Sequence, residues 1–472
     1  MGSKERFYAD IMAMHPEVTG SCNLVIVKLP NGETIRFAVD CGLFQEQNYQ
    51  ELNNSLPFNP EALDFILVTH NHVDHTGRLP FAVKKGFSKK IYTTEATCDL
   101  LPLALYDSLK VLKDVSKRQN KKCLYSENDV NKTLELLEPC KYKTPIMVND
   151  NVRVTFLKTN GHLPGSAEII VELIYPDFEH INIKFTGDYN NKNIFFDIDY
   201  IPDYILDMPL TVVQESTYGD MDSNQITKCF KDNVLNRISN GGTVITPVFS
   251  LGRAQEILYE LKCMQDDGSL DINVPIYFDG KLAIRYTNLY KREVFEIKPT
   301  MKDFLPKNLV YVDSDLRYDI LDDPSTKIIV TTSGMGSYGP AQVYIPKYIT
   351  RENTLIQFTG YTAEGTLGRE LQDAGFNEKV KIGGLVTVKK ADVQYTTEFS
   401  AHAKADEMIN YLKQYRNLKL ILVNHGEEAV KEKFAERILD EVSVKNVGIL
   451  GRQYFFRINP YGLVKTLSTK FV

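Results

Sequence analysis

The chain of 472 residues has no apolar run approaching a membrane span, which takes about 20 consecutive apolar residues. Its N-terminus lacks the apolar core of a secretory signal peptide, and Arg6 stands where a myristoylation motif carries Ser or Thr. No C-x-x-C pair occurs among Cys22, Cys41, Cys98, Cys123, Cys140, Cys229 and Cys263, and seven is an odd number. That argues against a disulfide framework and for reduced thiols, so a cytoplasmic protein is expected. A basic excess is missing too: 55 Lys and Arg stand against 61 Asp and Glu, for a formal net charge of −6. The chain as a whole does not advertise nucleic-acid binding. Lys84–Lys85, Lys89–Lys90 and the run from Lys113 to Lys122 (with Lys117, Arg118 and Lys121) are the candidates for a local basic groove. Each run taken singly reads as a solvated helix face. There is no internal repeat and no low-complexity linker. With 43% hydrophobic and 25% charged residues, what remains is an ordinary soluble chain with ample core.

What is present is concentrated in one stretch, Thr69–His70–Asn71–His72–Val73–Asp74–His75–Thr76–Gly77. It follows Leu63 to Val68, a short β-rich apolar run that reads as a buried strand. Three imidazoles and a carboxylate thus crowd into one tight turn, in a chain with only eight histidines. Histidine nitrogen and carboxylate oxygen suit Zn(II) at about 2.0–2.2 Å. In so short a span the side chains cannot all face one ion, so two adjacent metals are the natural reading.

The same pattern recurs along the chain. Asn23–Leu29 and Thr34–Val39 flank the turn Pro30–Asn31–Gly32 and read as a hairpin that ends in Asp40–Cys41–Gly42. Val152–Leu157 leads to Gly161–His162, Ile181–Thr186 to Gly187–Asp188, and Thr211–Gln214 to Glu215. Leu418–Val423 leads to Asn424–His425. Asp40, His70, His162, Asp188, Glu215 and His425 therefore each sit at or just past a predicted strand end, where loops supply function. His402 lies in Phe399–Ser400–Ala401–His402–Ala403, expected to open a helix. His15 and His180 have no such context and read as surface residues. From about residue 220 the rhythm becomes strand–helix alternation, with Thr243–Thr246, Ile276–Phe278, Lys327–Thr331 and Leu355–Thr359 as strands. Ser250 is expected to N-cap a helix with Leu251, Ala254, Ile257, Leu258 and Leu261 inward. This is βαβ logic and a doubly wound sheet.

On these residues the chain resembles the metallo-β-lactamase superfamily and, within it, the β-CASP ribonucleases. Asp40, the His70–His75 cluster, Gly161–His162 and Gly187–Asp188 match the superfamily's metal-site motifs. Glu215, His402 and His425 match the three motifs of the β-CASP branch. Gly252–Arg253–Ala254–Gln255–Glu256, Ser333–Gly334–Met335 and Gly365–Thr366–Leu367–Gly368–Arg369 resemble the endonuclease-type members, such as the nuclease subunit of the pre-mRNA cleavage factor. The resemblance runs from about residue 18 to 450.

The resemblance implies an α/β fold: a metallo-β-lactamase αββα sandwich, residues 1–219 and 398–472, with an inserted Rossmann-like β-CASP domain, residues 220–397, and the active site in the cleft between them. It implies two Zn²⁺ ions, one held by His70, His72 and His162, the other by Asp74, His75 and His425, with Asp188 bridging. Asp40 would orient a ligand from behind. Glu215 with His402 would be the general-acid pair for a phosphodiester attacked by a hydroxide that the two metals activate. The implied substrate is single-stranded RNA, with no membrane partner, and family members are often homodimers. Tyr361, in Gly360–Tyr361–Thr362–Ala363–Glu364–Gly365, replaces the small hydroxyl of 5′-exonuclease relatives, so endonucleolytic cutting is expected. Lys404 departs from the aspartate usual in the family. An appended RNA-binding domain is not expected, so selectivity is expected from the cleft or from a partner. Three alternatives stand beside this reading: a non-catalytic or partner-dependent subunit of an RNA-processing complex, a DNA nuclease of the same branch, and a metallo-hydrolase of a small ester or lactam, against which the inserted domain and Glu215, His402 and His425 speak. All seven implied metal ligands are present, against the first, and an imidazole at His425, where DNA-repair relatives carry valine, speaks against the second.

Overall fold

A computed structural model describes residues 7–360, 362 and 364–468. Tyr361, on which the expectation about the phosphate seat rests, lies outside the described residues. The chain divides into two compact units. The first comprises residues up to 45, 49–223 and from 402 onward; the second comprises 224–401 together with 46–48. The junctions fall at 223/224 and 401/402, four residues beyond 219/220 and 397/398, for local reasons. Residues 220–223 are tied into the first unit: Ser223 N–H donates to Asp406 Oδ1 at 2.8 Å and Ala405 N–H to Met221 O at 2.8 Å. Glu398 belongs to the second, its Oε1 accepting from Phe230 N–H at 2.9 Å and Thr396 Oγ1 at 2.7 Å.

The first unit holds two sheets. From edge to edge, one runs Gly462–Ser468, Tyr454–Asn459, Tyr8–Ala13, Asn23–Lys28, Thr34–Val39, Phe65–Leu67, Ile91–Thr94 and Leu137–Cys140. The other runs Val447–Ile449, Leu418–Asn424, Leu210–Glu215, Ile181–Phe185, Glu168–Leu173, Val152–Leu157 and Ile146–Asn149. Alternate residues of both sheets meet in one core. Val25, Phe37 and Phe65 pack with Val154, Ile169, Ile183 and Leu420, all buried. The opposite faces carry helices. Leu24, Ala38 and Ile66 lie with Leu79 and Ala82 of the helix Leu79–Lys84, while Val212, Ile421 and Val423 lie with Met408, Ile409 and Phe434 of the helices Ala405–Leu412 and Glu428–Glu441. Helix, sheet, sheet, helix is the αββα sandwich, the solution for two sheets that each bury both faces.

Strand direction puts the site on one rim. Thr34–Val39 and Phe65–Leu67 pair in parallel. Ile181–Phe185, Leu210–Glu215 and Leu418–Asn424 are likewise parallel, and Val152–Leu157, two antiparallel steps from Ile181–Phe185, points the same way. Asp40, His70, His162, Asp188 and His425 follow their C-terminal ends, and Glu215 is itself the last residue of its strand.

The second unit is a six-stranded parallel sheet, in order Leu309–Tyr311, Ile276–Asp279, Lys327–Thr331, Thr243–Pro247, Thr354–Phe358 and Asp392–Tyr395. Val244, Ile328 and Val330 pack under Ile257, Leu258 and Leu261 on one face; Ile245, Ile329 and Ile356 pack under Tyr344, Ile345 and Tyr348 on the other. Helices on both faces make it doubly wound. The helix after Thr243–Pro247 is Arg253–Asp266, and its cap is Gly252, not Ser250. Ser250 instead accepts from Gln255 Nε2 at 3.2 Å through its carbonyl, because the turn runs two residues further before the helix begins.

A buried ion pair sits inside the first unit, beneath the helix Ala405–Leu412. Lys184 Nζ lies 2.9 Å from Glu168 Oε2, and both side chains are fully buried. Lys184 also donates to the hydroxyls of Tyr411 and Tyr415, while the hydroxyls of Tyr411 and Thr159 donate to Glu168. Burial lowers the Lys184 pKa and the Glu168 charge opposes that.

Candidate metal centre

The His turn is one short helical turn, Val73–Thr76, that starts at His72. His75 N–H and Thr76 Oγ1 both bond to His72 O, at 3.0 and 2.9 Å, which sets His72 and His75 on one side of the turn. The turn is clamped from behind: a side-chain carbon at Gly42 would lie 1.5 Å from Asp74 O, so only glycine fits there. Asp40 precedes it in the left-handed region, φ 65°, a conformation aspartate tolerates better than most residues. That bend aims the Asp40 carboxylate back at the turn. Its Oδ1 accepts from Thr69 N–H at 2.8 Å, and its Oδ2 from Thr69 Oγ1 at 2.9 Å and His75 Nδ1–H at 2.8 Å.

These bonds decide which nitrogen of each ring faces the centre. His75 gives Nδ1–H to Asp40, His70 gives Nδ1–H to Thr69 Oγ1 at 3.0 Å, and His425 gives Nδ1–H to Thr217 Oγ1 at 3.1 Å. Each ring is left with a lone pair on Nε2, turned inward, which is how a metal-binding histidine is prepared. The inward atoms form two groups, His70 with His72, His162 and Asp188, and Asp74 with His75, Asp188 and His425. Within each, one ligand atom per residue lies within 4.8 Å of all the others. Asp188 is common to both, and its oxygens face opposite ways. Oδ1 is 3.0 Å from His75 Nε2 and 3.3 Å from His425 Nε2; Oδ2 is 3.7 Å from both His70 Nε2 and His162 Nε2.

The donor set fits metal cations. Nitrogens bound at about 2.0–2.1 Å in a tetrahedron stand about 3.3 Å apart. His162 Nε2 and His72 Nδ1 are 3.0 Å apart, and His75 Nε2 and His425 Nε2 are 3.2 Å apart. His70 Nε2 and His72 Nε2 are buried with no hydrogen-bond partner among the described residues. Burial holds His70 and His425 below the usual imidazole pKa and His72 down to about 3, which favours the neutral ring that ligation requires. His75 differs. Burial works to keep it neutral, but the charges of Asp188 and Asp40 and their hydrogen bonds outweigh burial and raise its pKa well above the usual value. For Asp188, burial favours the neutral acid, yet His425, His75 and His70 outweigh it and keep the carboxylate ionised.

Glu215 and His402 adjoin this cluster. His402 Nδ1 is 2.9 and 3.0 Å from the two Glu215 oxygens, and its Nε2 is turned to Asp188 Oδ2 at 3.8 Å. Glu215 is held by Tyr189 N–H on Oε1 and by Thr217 N–H on Oε2 at 3.2 Å. Burial lowers the His402 pKa, but the Glu215 charge and hydrogen bond outweigh it and raise it. The helix expected to open at His402 begins at Ala405, capped by Lys404. His402 therefore sits in an irregular segment, which leaves its ring outside any helical hydrogen-bond ladder. Lys404 is buried with its Nζ 3.3 Å from the centre of the Tyr218 ring.

Every site residue named from the sequence lies in the first unit and in this one cluster: Asp40, His70, His72, Asp74, His75, His162, Asp188, Glu215, His402 and His425. His180 is exposed. His15 is not a surface residue. It is 1% exposed, accepts from Cys22 N–H through Nδ1 at 3.1 Å, and lies edge-on to His425 with ring centres 6.4 Å apart. Thr69 and Thr217, which orient His70 and His425, are site residues that the pattern of ligating side chains does not single out. Their adjacency to Asp40's partner strand and to Glu215 was the available signal.

Buried imidazoles and carboxylates converging at the rim of an αββα sandwich define a metal-dependent hydrolase of the metallo-β-lactamase type. Comparison with known proteins agrees. Residues 18–178 match the profile of the metallo-beta-lactamase superfamily, 254–371 that of the Beta-Casp domain, and 388–447 that of the Zn-dependent metallo-hydrolase RNA specificity domain. The chain is similar to an RNase J-like protein of Methanocaldococcus jannaschii, 31% identical over 440 residues that cover 89% of this chain and 94% of that one. It is similar to Ribonuclease TTHA0252 of Thermus thermophilus, 31% identical over 428 residues, 87% and 91% of the two chains. It also matches the transcription termination factor FttA of Methanosarcina mazei, 30% identical over 441 residues, 87% of this chain and 66% of that one. The chain belongs to the β-CASP ribonuclease family of the metallo-β-lactamase superfamily. Among the described residues no helix is long and apolar enough to cross a membrane, and all seven cysteines are free.

Proposed function

We propose that the chain is a zinc-dependent endoribonuclease that binds two zinc ions and hydrolyses phosphodiester bonds of single-stranded RNA. The observation that carries the reading is Asp188, a buried carboxylate whose two oxygens face two separate sets of ligand atoms. His70, His72 and His162 would hold one ion, and Asp74, His75 and His425 the other, with Asp188 between them. When bound, two such ions supply Lewis acidity that activates water and offsets charge developing on phosphorus. The chain's own residues supply the rest. Asp40, Thr69 and Thr217 keep the imidazoles in the tautomer that presents Nε2. Glu215 holds His402 in place and favours its protonated form, so that a proton is available for the leaving 3′-oxygen. Elemental analysis of purified protein should return two zinc ions per chain, and His425→Ala should lower that count toward one. One ion or none in the wild-type protein would sink the dinuclear reading.

Endonucleolytic cutting rests on the stretch Gly360–Tyr361–Thr362–Ala363–Glu364–Gly365, where Tyr361 stands in place of the small hydroxyl residue of 5′-exonuclease relatives, and on the Gly368–Arg369 pair that follows it as in endonuclease-type relatives. Covalently closed circular RNA has no 5′ end and should be cut at a rate comparable to its linear form. Degradation of linear 5′-monophosphate RNA to mononucleotides, with the circle left intact, would overturn the endonuclease assignment and leave the metal chemistry standing.

A further inference from the structure

The metal-centre reading leaves one strongly charged surface unused. Between residues 84 and 122 stand ten Lys and Arg against four Asp and Glu, in a chain whose net charge is −6. Most of this excess lies on the outer half of the helix Glu95–Gln119 and just beyond it. Lys110, Lys113, Lys117, Arg118, Lys121 and Lys122 are all exposed. Asp114 is the one exposed acidic side chain between 106 and 122. Tyr106, Lys110, Lys113 and Lys117 follow one another at spacings of four, three and four, so they form a single stripe along the helix. Tyr106 is 38% exposed, with an aromatic face at the head of the stripe. Lys110, Lys113 and Lys117 make no ion pair among the described residues, whereas Lys121 pairs with Glu51 at 3.2 Å. The patch widens at its far end, where Lys84 Nζ donates to Leu124 O at 2.7 Å and so stands beside the end of the stripe.

The other end of this helix is fixed to the metal centre. Thr94 and Thr97 both donate to Gly165 O, at 2.7 and 3.0 Å, within the turn that carries His162. A side-chain carbon at Gly165 would lie 2.9 Å from Thr97 N, so the turn and the helix start are in close packing. At about 1.5 Å per residue, Lys110 to Lys117 lie roughly 20–30 Å along the helix from that anchor. A row of unpaired lysines with an aromatic at its head, rooted at the metal-ligand turn, has the chemistry of a track for a polyanionic strand.

Resting on the ribonuclease reading, we infer that the lysine stripe of this helix is a contact surface for the phosphate backbone of single-stranded RNA outside the metal centre. It adds affinity without base preference. The test uses full-length, metal-loaded protein carrying Glu215→Gln to slow cleavage, and a fluorescent 20-nucleotide RNA of mixed sequence followed by anisotropy. Adding Lys110→Gln, Lys113→Gln and Lys117→Gln together should weaken binding about 10–100-fold at low salt and flatten the plot of log Kd against log salt by about 2, at about 0.7 per phosphate contact. A matched triple, Lys413→Gln, Lys433→Gln and Lys445→Gln, should leave the slope where it was. Equal effects of the two triples would mean diffuse charge, and an unchanged slope in the stripe variant would assign the patch to solvent or to an acidic protein. Either result overturns the inference. Failure of the ribonuclease reading shows separately, as absence of cleavage by protein with Glu215 intact, whatever the binding experiment gives.

Discussion

Glu215→Gln and His402→Ala should each slow RNA cleavage about 10²–10⁴-fold while metal content stays near that of the wild-type protein. The separation is expected because neither side chain belongs to the two ligand groups, yet both touch them through the 3.8 Å approach of His402 Nε2 to Asp188 Oδ2. Glutamine at 215 keeps the shape, and its single carbonyl oxygen can still accept from one of Tyr189 N–H and Thr217 N–H, which donate to different oxygens of the glutamate. What it removes is the negative charge that opposes the effect of burial on His402. The His402 pKa then falls, and the alkaline limb of the pH–rate profile should begin at lower pH in Glu215→Gln. A variant that cut at the wild-type rate, under conditions where chemistry limits turnover, would remove its residue from the proton-transfer role. Loss of activity accompanied by loss of zinc would instead make the pair a structural support of the metal centre.

Lys184→Met should destabilise the first unit by about 3–5 kcal/mol, read as a lower urea midpoint. The substitution conserves the length of the side chain but leaves the Glu168 carboxylate fully buried without its cation. Tyr411 and Thr159 still donate to it, which covers hydrogen bonds and not charge. The double variant Lys184→Met with Glu168→Leu should recover much of the loss, because burying neither charge costs less than burying one. A single variant within about 1 kcal/mol of wild type would show that Glu168 takes up a proton at little cost, against this account.

How far the site could be read in advance follows from where its information lies. His70, His72, Asp74 and His75 are legible because four ligating residues in six positions directly after an apolar strand have no cheaper explanation. Val152–Leu157, Thr34–Val39 and Lys327–Thr331 appear with the bounds expected of them, since alternating or continuous apolar runs are set by local sequence. Three things were not local. His15 looks like a surface residue until Asn23–Lys28 folds back beside Tyr8–Ala13 and brings Cys22 to it. Asp40 adopts a left-handed backbone that no pattern of neighbours announces. Leu137–Cys140, with Pro139 inside it, carries no strand pattern of its own and forms a strand only because Ile91–Thr94 offers it an edge. Tertiary partners decided each of these.

The two sheets of the first unit share a property that bears on how the protein is made. Leu418–Asn424 is inserted beside Leu210–Glu215, and Tyr454–Asn459 beside Tyr8–Ala13. Both sheets thus await strands synthesised after the second unit, and the segment that follows that unit also delivers His402 and His425. At about 5–20 residues per second, translation reaches that segment on the order of 10–50 s after Glu215 has been added. Throughout that interval the growing chain carries the histidine turn but neither His425 of the second candidate ligand group nor His402, the proposed proton donor. A hydrolase directed at RNA is assembled on an RNA template, and this topology withholds its chemistry until the template has been read past the codons of the whole second unit.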